Sequence, residues 1–138
     1  GGLRILGSDV NTDVLESAIQ GCYAEKLLSP IPDSFRRRYF SSESEKPNSH
    51  NQIKTEIQRL IQFRQFNLMS AEYPIATKFQ LIFCRNVLYY LQPERREFLI
   101  RKLVDHLEEG GWLVLGITES GYIIDKMEKH SISIYQKT

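Results

Sequence analysis

The chain has 138 residues, enough for one domain with its own core. Its hydrophobic share of 41%, charged share of 25% and formal net charge of +1 are those of a soluble globular protein, and they exclude a global field drawing it to nucleic acid or a membrane. No apolar run approaches the roughly 20 residues that span a bilayer. The first residues lack the basic, apolar, small-residue order of a signal peptide, so a cytoplasmic protein without membrane insertion is expected. Cys22 and Cys84 form no CxxC pair and read as free thiols of a reducing compartment. His50, His106 and His130 are scattered, and no metal site is expected.

Leu3 to Leu6 is a compact apolar strand closed by Gly7, Ser8 and Asp9. Asn11 or Thr12 then caps a helix with Leu15, Ala18 and Ile19 at helical spacing, and Gly21 ends it. An acid at a strand's carboxyl end can accept both ribose hydroxyls of a nucleotide, or serve as a turn residue; Asp9 fits either role. Leu27 and Leu28 close a short helical turn before Pro30, and a second short helix runs from Pro32 through Phe35 to Phe40. Its Arg36, Arg37 and Arg38 spread over more than half the helix circumference, so most should be solvated; the alternative is a contact for an acidic substrate. Ser41 to Gln52 offers no side chain for a core, and a flexible loop at 41–52 is expected inside a single domain spanning 1–138. Ile53, Ile57, Leu60 and Ile61 then recur at helical spacing, and Gln62 to Phe66 alternates as a strand.

Phe79 to Phe83 is an apolar run with the signature of a strand buried on both faces, as in a parallel sheet. Arg85 and Asn86 follow where that strand ends. Ligands of open α/β sheets bind outside the carboxyl ends of the strands, so this pair either works on a ligand or caps the strand. Pro93 opens a long amphipathic helix carrying Phe98, Leu99, Leu103, Val104 and Leu107, ended by Gly110 and Gly111. Trp112 to Ile117 is another buried strand, and Ser131 to Lys137 reads as a last, antiparallel one. Strands alternating with helices make an α/β protein, with no internal repeat and no phosphate-loop pattern.

The order of these pieces resembles the C-terminal catalytic domain of the CheR family, which methylates glutamates on chemotaxis receptors with S-adenosylmethionine. The matching stretches are Gly7-Ser8-Asp9-Val10 with Asp13-Val14-Leu15, Phe35 to Phe40, Lys54 to Phe63, and Asn67-Leu68. They continue with Phe83-Cys84-Arg85-Asn86-Val87-Leu88-Tyr89-Tyr90, Gly110 to Leu113, and Gly116 with Glu119-Ser120. The Phe-Cys-Arg-Asn-Val run followed by a Tyr is the specific signal, and the match runs almost end to end. The resemblance implies a Rossmann-like class I methyltransferase sheet, mostly parallel with an antiparallel C-terminal strand.

By the same resemblance, Asp9 would hold the ribose, Asn67 and Leu68 would frame the adenine, and Asn86 and Val87 would present backbone and amide groups to the cofactor. Arg85 and Tyr90 would lie by the incoming glutamate of a chemoreceptor-like protein. Tyr89 and Tyr90 are neighbours, so at most one of them should reach the site. The family's first strand, with its Gly-containing turn, has no counterpart here, so an N-terminally truncated domain is expected. Its small antiparallel subdomain, which in some members docks a receptor-tail peptide, would be reduced to the loop at 41–52. Without the first strand, the edges at Leu3–Leu6 and Phe79–Phe83 are expected to close on each other, a homodimer being the alternative. Such a chain alone should lack methyltransferase activity and bind the cofactor poorly. The competing function is a non-catalytic, family-derived interaction or regulatory module.

Overall fold

The structure is a computed structural model that describes residues 2–42, 50–119 and 121–138. The chain divides into two compact units, Gly1–Asn67 and Leu68–Thr138.

In the first unit, β1 (Ile5–Asp9) leads into α1 (Thr12–Gln20). The Asn11 side chain caps this helix by accepting the N–H groups of Asp13 and Val14 at 2.9 and 3.3 Å. Gly21 ends it in the left-handed region at φ 65°, with its N–H donating to the Ser17 carbonyl. Next come β2 (Cys22–Ala24), α2 (Glu25–Leu28), α3 (Asp33–Tyr39), β3 (Phe40–Ser42), β4 (His50–Ile53), α4 (Thr55–Gln58) and β5 (Ile61–Gln65). Strands β1 and β5 pair in parallel, Ile5 opposite Ile61 through Asp9 opposite Gln65. Strands β2, β4 and β3 form a separate antiparallel sheet with β4 in the middle.

That second sheet corrects the loop expected at 41–52. Residues 41–42 and 50–52 are strand, and residues 43–49 lie outside the described residues. Polar residues form strands here because partners are supplied on both sides of β4. The buried Asn51 amide donates to Glu25 at 2.6 Å, and Arg36 pairs with the same carboxylate at 2.8 Å. Of the arginine triplet, Arg36 is thus committed to Glu25 and Asp33, and Arg38 lies over the Tyr39 ring.

The second unit contains β6 (Phe79–Cys84), a 3-10 turn at Leu88–Tyr90, α5 (Pro93–Asp105), β7 (Leu107–Leu115), β8 (Met127–Ser131) and β9 (Ile134–Lys137). The sheet order is β6-β7-β9-β8. The pair β6–β7 is parallel and the other two pairs are antiparallel, as expected for the C-terminal strand. Leu99, Ile100, Leu103 and Val104 of α5 pack with Leu88, Leu113, Leu115 and Tyr135 into the core.

Three expectations are corrected in this unit. First, β6 is buried on one face only: Ile82 and Cys84 point into the core, while Leu81 and Phe83 are exposed, because α5 supplies a single helical layer. Second, α5 ends at Asp105, ahead of the glycines. The Lys137 ammonium donates to the Val104 and Leu107 carbonyls at 3.2 and 3.0 Å and fixes that end. Gly110 lies inside β7 at φ 76°, where the ladder to β6 shifts register. Third, among the described residues the ladders form three sheets where one was expected, with β1 paired to β5 inside the first unit and β6 to β7 inside the second. Each parallel strand takes the partner delivered by its own helical connection.

Candidate functional site

At the carboxyl end of β1, one Asp9 oxygen accepts the Asn11 N–H at 2.9 Å. This turn contact aims the carboxylate and leaves its second oxygen without a partner among the described residues. Asn67 is exposed, two residues beyond β5. Both residues belong to the first unit. Leu68 opens the second unit with its side chain packed on the core and its carbonyl accepting the Tyr73 hydroxyl at 2.6 Å.

The turn after β6 brings Arg85, Asn86, Val87 and Tyr90 together. One buried side chain organises it. Glu119 is 1% exposed, and its carboxylate accepts four backbone N–H groups: Asn86 at 2.9 Å, Leu88 at 2.6 Å, Tyr89 at 3.4 Å and Gly116 at 3.0 Å. Four aimed donors replace the water that a buried carboxylate would otherwise need. Asn86 is thereby held at φ 61°, a left-handed backbone that Asn tolerates better than most residues. Its side chain lies over Gly116, where an added Cβ would come within 2.6 Å of Asn86 Oδ1. Arg96 fastens the turn from the other side, donating to the Leu88 and Leu91 carbonyls. Arg85 is exposed and makes no ion pair among the described residues. The Val87 side chain packs on the core, so only its backbone faces outward chemistry.

Tyr89 and Tyr90 depart from the expectation that neighbours diverge. Their rings lie 4.0 Å apart at 33°. A 3-10 turn brings successive side chains closer than a strand does. The Tyr89 phenol is pushed up from its ordinary range, first by the neighbouring Tyr90 hydroxyl, then by desolvation and the nearby negative charge.

Cys84, at the end of β6, is pushed up from 9.0 to about 11, first by burial and then by the Glu119 charge. The folded state therefore keeps this proton where the unfolded chain releases it. Stability is complete below pH 9 and falls as pH rises toward 11, by about 2–3 kcal/mol for a shift of this size. Urea unfolding followed by Trp112 fluorescence should show this fall in the wild type, and C84A should lack that part of it. Equal slopes in the two proteins would show that Cys84 is not its source.

The model of the family described as CheR methyltransferase, SAM binding domain matches residues 1–135. The chain belongs to this family. It is 30% identical over 118 residues to the chemotaxis protein methyltransferase of Borreliella burgdorferi, covering 86% of this chain and 41% of that protein. It is 34% identical to the Vibrio parahaemolyticus chemotaxis protein methyltransferase, covering 86% and 42%. Against the probable chemotaxis protein methyltransferase of Rhizobium etli it is 31% identical over 137 residues, covering 98% and 51%. The chain thus spans about half the length, or less, of the curated relatives it matches. Among solved structures it is similar to the glycopeptide N-methyltransferase MtfA, at TM-score 0.48 and 17% identity, covering 87% of this chain and 41% of that one.

The family description makes S-adenosylmethionine the cofactor to weigh against these residues. Within the first unit, Asp9 has a carboxylate oxygen of the kind a ribose diol needs. Glu119 is a residue that sequence reasoning placed in a motif and at the close of the strand Trp112 to Ile117, without a part in the site. Its signal was spacing: an acid three residues after the glycine that ends a buried strand, where its carboxylate can turn back onto that glycine's N–H.

Proposed function

We propose that the chain is the cofactor-binding part of a CheR-type protein-glutamate O-methyltransferase acting in the cytoplasm on chemoreceptor-like proteins. The observation that carries this reading is the clamped turn Arg85–Tyr90 within a chain matched to the family over residues 1–135. S-adenosylmethionine, when bound, supplies a methyl group already activated by its sulfonium. The chain's own residues then bind and orient. Asp9 holds the ribose, Asn67 and Leu68 frame the adenine, and Asn86 and Val87 contribute amide and backbone groups. Arg85 and Tyr90 hold a glutamate carboxylate, which is ionised at neutral pH and needs no general base. Rate enhancement comes from in-line positioning. No helix among the described residues is long and apolar enough to cross a membrane. The sheet β2-β4-β3 supports adding a receptor-tail contact by strand addition, which the sequence reading had set aside.

The test is transfer of a base-labile methyl group from labelled S-adenosylmethionine to a chemoreceptor cytoplasmic fragment. Residues 1–135 placed in the matching stretch of the Rhizobium etli relative are expected to support it. The 138 residues by themselves are expected to bind S-adenosylhomocysteine weakly and turn nothing over, since the relatives named for the activity are about twice as long. A chimera that folds and binds S-adenosylhomocysteine but transfers nothing would favour the competing interaction module.

A further inference from the structure

We propose that Tyr89 is a positioning residue that fixes the Tyr90 hydroxyl for a carboxylate acceptor, so that the two tyrosines act as one device. The inference rests on the methyltransferase reading and adds a residue to it.

Tyr90 is 77% exposed. A lone tyrosine that exposed samples several χ1 wells, and its hydroxyl sweeps over many ångströms. A group that must orient a reacting oxygen cannot be that loose, because misplacement by about 1 Å can cost on the order of 100-fold in rate. The base of the turn is immobile: Leu88 is fully buried, and its N–H and carbonyl are taken by Glu119 and Arg96. What remains free is the side-chain torsion of Tyr90. The Tyr89 ring, stacked on it at 4.0 Å, restricts that torsion. Aromatic pairing of this kind biases the population by roughly 3- to 10-fold toward the stacked rotamer.

A phenol O–H held in one direction donates to a carboxylate as a charge-assisted hydrogen bond; an uncharged amide gains much less from it.

The experiment uses the 138-residue chain with 13C-labelled tyrosine rings. The probe is N-acetyl-glutamyl amide, with N-acetyl-glutaminyl amide as the uncharged control, and S-adenosylhomocysteine is titrated into the same sample. The expected result is a Tyr90 ring resonance that is ring-current shifted in the free chain and moves with the glutamyl probe only. Y89L should abolish the ring-current shift and weaken the glutamyl probe by roughly 3- to 10-fold. Y89F, which keeps the ring, should keep the shift and bind the probe as the wild type does. Both variants change a partly exposed side chain and should unfold at the wild-type temperature. Y89L that binds the glutamyl probe as the wild type does overturns the inference alone. A folded chimera that binds S-adenosylhomocysteine but transfers no methyl group overturns the methyltransferase reading, and the inference with it.

Discussion

Replacing Glu119 by Gln is expected to destabilise the second unit by about 3–5 kcal/mol. The substitution changes shape very little and chemistry a great deal. Each Glu119 oxygen serves two donors: Oε2 accepts from Asn86 and Gly116, and Oε1 from Leu88 and Tyr89. A glutamine amide can offer its oxygen to one pair only and must turn its NH2 toward the other. Two buried N–H groups then lose their acceptor and face a donor, each at roughly 1–3 kcal/mol. Against a typical total of about 5–15 kcal/mol, that is a large fraction of the unit's stability. Trp112, the single tryptophan of the sequence, sits in β7 and reports this unit's unfolding in urea. A loss below about 1 kcal/mol would mean that the turn relaxes and finds other partners.

Leu88→Ala attacks the same turn through its packing. Leu88 is fully buried among the core residues of α5, β7 and β9, and truncating such a leucine removes about 2–5 kcal/mol. The informative measurement is the double variant. If the turn is one unit, the first substitution already frees the backbone that the second would have freed. E119Q with L88A should then lose less than the sum of the two, by roughly 0.5–3 kcal/mol. Losses that add within about 0.3 kcal/mol would show that carboxylate and side chain hold the turn independently.

Much of the scaffold was legible residue by residue. Asn11 and Gly21 bracket α1 where cap chemistry puts them, and Pro93 opens α5. The strand at Phe79 and the antiparallel last strand follow from apolar patterning. What escaped was structure whose cause lies far away in the chain. Cys22-Tyr23-Ala24 is too short to announce a strand; it becomes one because Gln52, Asn51 and His50 lie opposite. The exposure of Leu81 and Phe83 depends on how many helices cover a sheet, which the strand's own residues do not encode. The site was legible as a turn, through Arg85 and Asn86. Its organiser, Glu119, was not, because a lone acid near a glycine has many ordinary roles until four N–H groups are seen to converge on it.

The small antiparallel sheet also bears on how quickly the first unit can assemble. Strand β1 meets β5 with Ile5 opposite Ile61, so the parallel ladder must close a loop of more than fifty residues before it gains anything. Pairing of β2 with β4 sets Cys22 opposite Gln52 and bridges that loop partway. The chain left to search is then about half as long. Closure entropy grows only with the logarithm of length, so halving it saves about 0.6 kcal/mol. In kinetic terms, a preformed β2–β4 pair raises the frequency with which Ile5 encounters Ile61 by a factor of about three.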